Sequence, residues 1–353
     1  MTEPTPVPPR PAAYDVVIIG GGAAGLSAAV TLSRALRSVL VIDAGHPRNA
    51  PARGVHGFLT RDGMSPQDLL ETARSEAEGY GAVIRHGEAI RVARIAGDFE
   101  VELADGDTVV GRRLLVATGL VDGLPPVPGL REQWGNGVVH CPYCHGYEIR
   151  GQRIGVLATG PLSVHQVLLF RQWSDDLTFF LNDSISPTDE EWDKLTARGI
   201  RVVDGPVISV DTTDGVLSGV TLASGTTLDL DALAVGTRME ARGDLLASLG
   251  VDMEQHPMGV GQLVPGGPMG STAAPGVYVA GNVSNLSAQV IVAAAEGVMA
   301  GAAINADLIE EETALAVDGL RGSSDRGRTV ITERMTGSIT DAPSTPEEIH
   351  RAG

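Results

Sequence analysis

The chain of 353 residues contains two cysteines, which lie three positions apart in the segment Cys141-Pro142-Tyr143-Cys144. Thiols at this spacing can close a small disulfide, and the local electrostatics can stabilise one of them as the reactive thiolate. A single pair is not the disulfide framework of a secreted domain; in a cytosolic chain such a pair indicates catalysis or metal binding. The first candidate chemistry is therefore thiol–disulfide exchange.

His140 and His145 flank this pair and make two alternatives worth weighing. A structural zinc site would compress four ligands into six consecutive residues, too tight to surround a tetrahedral ion, and no second ligand pair is present. The other alternative is a pair of inert buried thiols. The two flanking histidines disfavour it, because a side chain with an unperturbed pKa of about 6.5 is suited to act as a general base. We therefore predict no metal here. Glu148 either orients one of the histidines or caps a turn, and we favour orientation.

A glycine-rich turn comes early in the chain, where Gly20, Gly22 and Gly25 match the pattern G-x-G-x-x-G between an apolar strand and an apolar-periodic helix. The first glycine permits a tight turn, the second lets a pyrophosphate approach the backbone, and the third lets helix and strand pack closely. The helix N-terminus offers N–H groups to the phosphates. Asp43 ends the next strand, 18 residues after Gly25, where it can accept hydrogen bonds from an adenosine ribose. A glycine turn without a ligand is the alternative, which the complete strand, helix and acid disfavour.

Other elements must position these residues. We predict a helix over Pro66–Tyr80, short β segments up to residue 119, a proline-rich crossing at 124–130, and then a second strand-turn-helix unit that begins near Arg153. Two meander-like strand segments follow before the last strand, GVYVAGN. The Ala-rich stretch Val290–Ile309 is predicted to be a buried helix rather than a membrane span, because it carries Glu296 and Asp307.

The order of these motifs resembles that of the low-molecular-weight thioredoxin reductases over roughly residues 14–312. The string CPYCHGYE and the segment GFLTRDGMSP at 57–66 look most like the FAD-dependent natural-product dithiol oxidases of the gliotoxin and holomycin type. The resemblance implies an α/β fold with two Rossmann-like, three-layer ββα dinucleotide-binding domains, the second degenerate and inserted in the first. The implied domains are FAD-binding (14–122 with 243–311) and central (123–242), flanked by a disordered tail at 1–13 and a flexible tail at 315–353.

The same resemblance implies roles for individual residues. Cys144 would be the flavin-proximal thiol, Cys141 would exchange with substrate, and His145 stands where thioredoxin reductases carry an acidic proton carrier. Gly281 and Asn282 correspond to the late glycine-acid pair that holds the FAD ribitol, with Asn in place of the usual Asp. The predicted FAD contacts are Gly20, Gly22, Ala23, Ala24, Gly25, Asp43, Ala44, Ala117, Thr118, Gly119, Gly281, Asn282, Ala288, Gln289 and Val290.

A thioredoxin reductase also needs a second glycine motif for NADPH, and the candidate here is degraded. In Gly155-Val156-Leu157-Ala158-Thr159-Gly160-Pro161-Leu162, Ala158 and Leu162 do not suit the positions of close phosphate approach and close helix packing, and Pro161 removes an N–H from the turn. After the next strand, Asn182 and Asp183 stand where an arginine or lysine would bind the 2′-phosphate. We therefore expect NADPH not to be used, although a divergent working nicotinamide site stays open.

These expectations combine into a function: an FAD-dependent dithiol oxidase that closes a disulfide in a small natural-product dithiol and passes the electrons to O2, giving H2O2. A thioredoxin reductase driven by NADPH or a protein donor such as ferredoxin is the first alternative, and a non-enzymatic flavin redox sensor is the second. The net charge of −18 disfavours nucleic acid and anionic membranes as partners. The proline-rich start has no apolar core typical of a secretory signal, so a cytoplasmic location is expected, and the family resemblance implies a homodimer.

Overall fold

The computed structural model describes residues 13–322. The predicted N-terminal tail lies outside the described residues except for Ala13, which already belongs to the first strand. The strands are β1 (Ala13–Ile19), β2 (Val39–Asp43), β3 (Val83–His86), β4 (Ala89–Ile95), β5 (Asp98–Leu103), β6 (Thr108–Val116), β7 (Leu120–Gly123), β8 (Val138–Val139), β9 (Ile154–Leu157), β10 (Leu177–Phe180), β11 (Arg201–Val203), β12 (Val207–Thr213), β13 (Val216–Leu222), β14 (Thr227–Asp229), β15 (Ala232–Val235), β16 (Arg238–Ala241), β17 (Glu254–Gln255), β18 (Gly261–Leu263) and β19 (Val277–Val279).

Six α-helices and three 3₁₀ turns complete the described elements. The α-helices are α1 (Ala23–Arg34), α2 (Pro66–Gly79), α3 (Pro142–His145), α4 (Ser163–Phe170), α5 (Asp189–Ala197) and α6 (Val290–Gly322). The 3₁₀ turns are Asp244–Leu249, Pro268–Gly270 and Gly281–Val283.

The first sheet has the strand order β3-β2-β1-β6-β5-β4, and β19 pairs with β6. Strands β3, β2, β1, β6 and β19 run parallel, whereas β4 and β5 return antiparallel next to β6. Apart from the exposed edge strand β3, the parallel strands are apolar runs largely buried on both faces, as expected where helices cover a sheet. Their carboxyl ends meet at one edge, which therefore collects the glycine turn after β1, Asp43 after β2 and the turns after β6 and β19.

The second sheet is fully parallel, with the order β11-β10-β9-β15-β8. Strands β9 and β10 with helix α4 form the strand-turn-helix unit predicted beyond the cysteines. The antiparallel meander of β12, β13 and β14 is inserted in the chain between β11 and β15. Strand β7 follows β6 of the first sheet, and β16 follows β15 of the second sheet. The two strands pair antiparallel, with Asp122 opposite Met239, and so form the connection between the two sheets. The predicted α/β fold with two Rossmann-like units is confirmed, while the predicted domain boundaries stay a prediction.

Two elements differ from expectation. Helix α5 was not predicted, although Thr188 and Glu191 form a capping box at its start. Helix α6 continues to Gly322, so residues 315–322 are helical and were wrongly assigned to a tail; alanine, leucine and glutamate are strong helix formers there. Residues 323–353 of that predicted tail lie outside the described residues.

The expectation that α6 is a buried helix is wrong for most of its surface. Only 22% of the most apolar stretch of Val290–Arg321 is buried within the protein. By length and composition alone, this helix could also cross a membrane. The helix packs through one side: a Cβ atom at Gly297 would collide with the backbone of Ala24, and one at Gly301 would crowd Thr31. This side closes the core over α1, and the opposite side, with Val298 and Met299, is exposed.

Candidate active site

The glycine turn after β1 has three different environments. Gly20 has φ +111°, a conformation that disfavours any side chain, and a Cβ at Gly25 would collide with the carbonyl oxygen of Gly20. Gly22 is the N-cap of α1, and a Cβ built on it meets no atom within 4 Å. The first and third glycines therefore shape the turn, whereas Gly22 borders open space in front of the helix N-terminus, where Ala23 and Ala24 also line the cavity. An anion is favoured at such a position.

Asp43 stands beside this turn at the end of β2. Its carboxylate lies where a side chain at Gly21 would be, since a Cβ there would come within 2.6 Å of the carboxyl carbon. The Gly45 N–H donates to Oδ1 at 3.1 Å, and Arg74 of α2 donates to Oδ2 at 3.0 Å. With Ala44 next to it in the cavity wall, Asp43 presents acceptor oxygens where the adenosine ribose is expected.

The turns after β6 and β19 complete the same wall. Thr118 donates from its hydroxyl to the Arg242 carbonyl at 2.6 Å, and Gly119 adopts φ +70°. Gly281 adopts φ +76°, and its N–H donates to Glu296 of α6 at 2.9 Å. The other Glu296 oxygen accepts from the Asn285 amide at 2.7 Å. Glu296 thus fixes the turn at Gly281, which is predicted to contact the FAD ribitol, to helix α6. The sequence analysis did not predict this role.

Asn282 uses its amide in a way that an aspartate could not. Its Nδ2 donates to the carbonyls of Asn285 at 2.9 Å and Ala288 at 3.0 Å. Its Oδ1 faces the Arg48 guanidinium at 3.4 Å. The departure from the usual Asp therefore has a local physical reason, because a carboxylate has no hydrogen to give to those carbonyls.

Arg48 was also missed, since nothing in the sequence pairs it with residues so far away. It makes a bidentate ion pair with Asp122 of β7, at 2.6 and 2.7 Å, and Thr237 donates to the same carboxylate at 2.7 Å. Burial alone would raise the pKa of Asp122, but the hydrogen bonds and charge of Arg48 outweigh it, and the pKa lies below its usual range. The pair ties the loop after β2 to both strands that connect the two sheets.

These turns and the cysteine segment line one cavity of about 1450 Å³. The N-terminus of α6 borders it through Ala288, Gln289 and Val290. Open space at Gly22, ribose acceptors at Asp43, an amide oxygen at Asn282 and two helix N-termini fit the phosphates, sugar and ribitol of FAD. Fourteen of the fifteen residues predicted to contact FAD line this cavity, and the exception is Gly25, on the packed side of the turn.

Cys141 and Cys144 form a disulfide in the wall of this cavity, with their Cα atoms 5.2 Å apart. Cys141 is the N-cap of the short helix α3, and its carbonyl accepts from the N–H groups of Cys144 and His145, both at 3.2 Å. Gly146 allows the segment to pack closely, since a Cβ there would meet the Trp173 ring. The disulfide and the predicted FAD contacts therefore lie in the wall of one cavity.

The two flanking histidines have different environments. Burial lowers the pKa of His140, despite Asp122, and its Nδ1–H donates to the Val235 carbonyl at 3.1 Å. Burial also lowers the pKa of His145, despite the negative charge of Glu148. Neither ring nitrogen of His145 has a hydrogen-bond partner among the described residues. His145 is therefore a neutral imidazole with a lone pair available to take a proton, whereas His140 is fixed by the backbone.

Glu148 does not hydrogen-bond with either of these histidines in the described structure. Its Oε1 lies 3.4 Å from His56 Nε2, and His56 Nδ1 lies 3.4 Å from Asp62 Oδ2. His56 was not among the predicted site residues, because its partner Glu148 is distant in the sequence. The structure places it in the cavity wall, on the loop after β2.

The second strand-to-helix turn, after β9, is filled by a side chain of the protein itself. The Ser163 hydroxyl accepts from the N–H groups of Thr159 at 3.0 Å and Gly160 at 3.3 Å, and Ser163 is buried. These are the N–H groups that a pyrophosphate would use. Asn182, after β10, is likewise engaged, since it donates to the Ala158 carbonyl at 3.3 Å and accepts from the Val207 N–H at 2.9 Å.

Known proteins resemble this chain over most of its length. The family described as pyridine nucleotide-disulphide oxidoreductase matches residues 14–297. Thioredoxin reductase sirT of Leptosphaeria maculans is 30% identical over 313 residues, covering 84% of this chain and 94% of the relative. Thioredoxin reductase tcpT of Claviceps purpurea is 33% identical over 308 residues, covering 84% and 95%.

Solved structures agree with these relatives. The crystal structure of HlmI superposes with a TM-score of 0.84 at 42% identity, covering 89% of this chain and 98% of that one. An oxidoreductase from Agrobacterium tumefaciens superposes with a TM-score of 0.80 at 36% identity, covering 84% and 99%. With an FAD-type cradle and a disulfide in one cavity, the chain belongs to the pyridine nucleotide-disulphide oxidoreductase family, as a thioredoxin reductase-like, flavin-dependent disulfide oxidoreductase.

Proposed function

We propose that this protein is a dithiol oxidase that closes an intramolecular disulfide in a small natural-product dithiol, with O2 as the final acceptor and H2O2 as the product. One observation carries the proposal: the cysteine pair lines the same cavity as the residues predicted to hold FAD, while the N–H groups of the second nucleotide turn that would bind a phosphate are occupied by Ser163. The resemblance of CPYCHGYE to the gliotoxin and holomycin oxidases points to a small dithiol.

The chain's own residues account for the exchange chemistry. His145, neutral and without a protein partner at its ring nitrogens, takes the proton of the first substrate thiol. The substrate sulfur bonds to Cys141 as the Cys141–Cys144 bond breaks, and Cys144 leaves as the thiolate. The second substrate thiol then displaces Cys141, and the substrate departs as a cyclic disulfide. Two electrons have moved from the substrate to the cysteine pair.

The cradle of Gly22, Asp43, Asn282 and the α6 N-terminus would hold FAD. When bound, FAD supplies the two-electron oxidant that returns the cysteine pair to its disulfide and delivers the electrons to O2. The role of the chain is to keep Cys144 and the cofactor in one cavity. The roles of Cys144 as the flavin-proximal thiol and of Cys141 as the exchanging thiol rest on the family resemblance.

A second candidate is a thioredoxin reductase that runs in the opposite direction, from a donor through the flavin to a protein disulfide. The names of sirT and tcpT favour it, as do Tyr143 and Tyr147, which are both 65% exposed beside the cysteines and could contact a protein. The occupied turn at Ser163 speaks against NADPH as its donor but leaves a protein donor open.

The deciding experiment is an anaerobic titration of the purified FAD protein with NADPH, NADH and dithiothreitol, followed by flavin absorbance. We expect dithiothreitol to bleach the flavin, the two nicotinamides to leave it oxidised, and air to restore the colour with formation of H2O2. Rapid bleaching by NADPH would contradict the oxidase and favour the reductase. A flavin that neither NADPH nor the dithiol reduces would contradict the oxidase and an NADPH-driven reductase.

A further inference from the structure

The cysteine segment starts at the carboxyl edge of the second sheet. Strands β9, β15 and β8 are neighbours and run parallel, so their carboxyl ends meet at one edge. In a doubly wound sheet, a nucleotide binds at such an edge. Here Gly236 directly follows β15, His140 directly follows β8, and the cysteine pair begins at the next residue, Cys141. The edge that would bind a coenzyme is therefore the edge on which the redox pair is built.

Gln166 reaches this edge from helix α4, which follows the second nucleotide turn. Its Nε2 donates to the His140 carbonyl at 3.0 Å. Its Oε1 would lie 3.7 Å from a Cβ atom on Gly236, so the amide lies between the ends of β8 and β15. Gln166 follows Ser163 by three residues, on the same face of the helix, and both line the cavity. One face of α4 thus serves the turn through Ser163 and the cysteine segment through Gln166.

The residue before Cys141 is held from two directions. The carbonyl of His140 accepts from Gln166, and its ring Nδ1–H donates to the Val235 carbonyl at 3.1 Å. The carbonyl belongs to the peptide bond that joins His140 to Cys141. The hydrogen bond from Gln166 therefore fixes the direction in which the chain leaves the sheet and enters the disulfide.

The other end of the cysteine segment is attached to the chain just beyond α4. Gly146 packs so closely on Trp173 that a Cβ atom there would lie 2.7 Å from the indole ring. The rings of Tyr143 and Trp173 meet edge to face, with their centroids 5.8 Å apart. The disulfide thus lies between two attachments to the same part of the second nucleotide unit, and Gln166 makes the first of them.

We propose that Gln166 is the positioning residue of the redox pair: through the His140 carbonyl, it keeps Cys141 and Cys144 where they can pass electrons to the cofactor in the same cavity. This role rests on the proposed function, which requires that transfer. When the Cys141–Cys144 bond re-forms, the two thiols give two electrons to bound FAD and lose two protons.

Electron transfer of this kind depends on alignment more strongly than the preceding exchange does. Reacting groups must lie about 3–3.5 Å apart, and a displacement of about 1 Å can cost roughly 100-fold in rate. Dithiothreitol diffuses to the disulfide and adapts its own approach, whereas the cysteine pair and the cofactor are both held by the protein. Loss of the Gln166 hydrogen bond should therefore slow the second step and spare the first.

The test measures both steps in the FAD protein, mixed anaerobically with excess dithiothreitol. Gln166→Met keeps a side chain of similar length and removes the donor. Its cysteines, counted by acid quench and alkylation, should be reduced at the wild-type rate, while its flavin should bleach about tenfold more slowly. The matched control is Gln172→Met, at an exposed glutamine outside the cavity, which should behave as wild type in both measurements.

Gln166→Leu also lacks the donor and replaces Gln166→Met if that variant does not fold. Flavin bleaching at the wild-type rate in the folded variant would overturn the positioning role. Equal slowing of cysteine and flavin reduction would overturn it too, as would loss of bound FAD in both variants. In these cases the wild-type protein still bleaches and the proposed function stands. A wild-type flavin that dithiothreitol does not reduce would instead contradict the proposed function and this role together.

Discussion

At the scale of single residues, similar side chains have different chemistry because their surroundings differ. His140 donates to a backbone carbonyl, while His145 keeps both ring nitrogens without partners among the described residues. The sequence shows two histidines flanking two cysteines and cannot rank them. The ranking depends on Val235, almost a hundred positions away, whose carbonyl reaches only one of the rings.

The flavin-proximal role of Cys144 gives a direct prediction. In Cys144→Ser, the thiol that delivers electrons is gone, so dithiothreitol should no longer bleach the flavin in an anaerobic cuvette, although FAD stays bound and keeps its spectrum. The Ser163→Ala protein, altered in the second turn, should still bleach. Bleaching of the Cys144→Ser protein at the wild-type rate would mean that electrons reach the flavin without this cysteine.

Replacing Asn282 by aspartate, the residue usual at this position in the family, should weaken FAD binding rather than strengthen it. Asn282→Asp loses the donor to the Asn285 and Ala288 carbonyls and sets a negative charge beside them. At roughly 1 kcal/mol per lost hydrogen bond, FAD should bind about fivefold more weakly or worse. Equilibrium titration of the apoprotein with FAD measures this, with Asn305→Asp on α6 as the control. Tighter binding would contradict the amide assignment.

Burial of His140 predicts how stability depends on pH. Its folded pKa is lowered, so below about pH 6.5 the unfolded chain binds protons that the folded chain resists, and the free energy of unfolding falls as the pH drops. Urea unfolding at pH 7.5 and 5.5 should therefore show a loss of stability that is smaller in His140→Asn. His256→Asn should keep the wild-type loss. An equal loss in all three proteins would exclude His140 as its source.

At the scale of elements, the glycine turn separates folding from binding. Gly22→Ala adds a methyl group in open space at an ordinary φ of −80°, so the protein should fold while FAD binds more weakly, because the methyl group occupies the phosphate approach. Gly25→Ala would collide with the Gly20 carbonyl and should lower the thermal midpoint itself. Thermal unfolding and FAD titration of both variants compare these effects. An equal fall in the thermal midpoint of the two variants would contradict the separate roles of Gly22 in binding and Gly25 in folding.

Regular elements with strong local patterns were predictable, and elements set by competing signals were not. The predicted helix over Pro66–Tyr80 appears as α2, because its Ser65 cap, proline at the first turn and spaced leucines agree. Helix α5 was overlooked although Thr188 and Glu191 mark its start, since its sequence is polar and its apolar period is weak. The end of α6 was misplaced because polar composition was taken for a tail in spite of high helix propensity.

At the scale of the whole molecule, the first and second sheets each have a strand-to-helix turn of the nucleotide-binding type, and the two turns differ. The turn after β1 is open at Gly22, and the turn after β9 is occupied by Ser163. The loss of glycines at the second turn was visible in the sequence, whereas the role of Ser163 was not, because only the fold brings its hydroxyl to the N–H groups of Thr159 and Gly160. His56 and Arg48 escaped for a related reason: their partners are brought together only by the fold.

The exposed side of α6 leads to a prediction about assembly. Ile291, Val298 and Met299 are apolar and between 38% and 49% exposed, in keeping with the homodimer proposed by resemblance. Light scattering should give twice the chain mass of 36.6 kDa, and Met299→Glu should shift the protein toward one chain. Glu71→Gln on α2 serves as the unaffected control. A wild-type mass of a single chain would rule out this dimer.

The buried hydroxyl of Ser163 has a consequence for anyone who wishes to redesign this enzyme. Its hydroxyl competes intramolecularly with a coenzyme phosphate for the N–H groups of Thr159 and Gly160. Grafting a positive charge after β10 would therefore not create nicotinamide dependence, because the competitor would still occupy the turn. The engineering order is reversed: first Ser163 and Pro161 must be replaced by residues that free the N–H groups, and only then does the choice between NADH and NADPH become a question of charge.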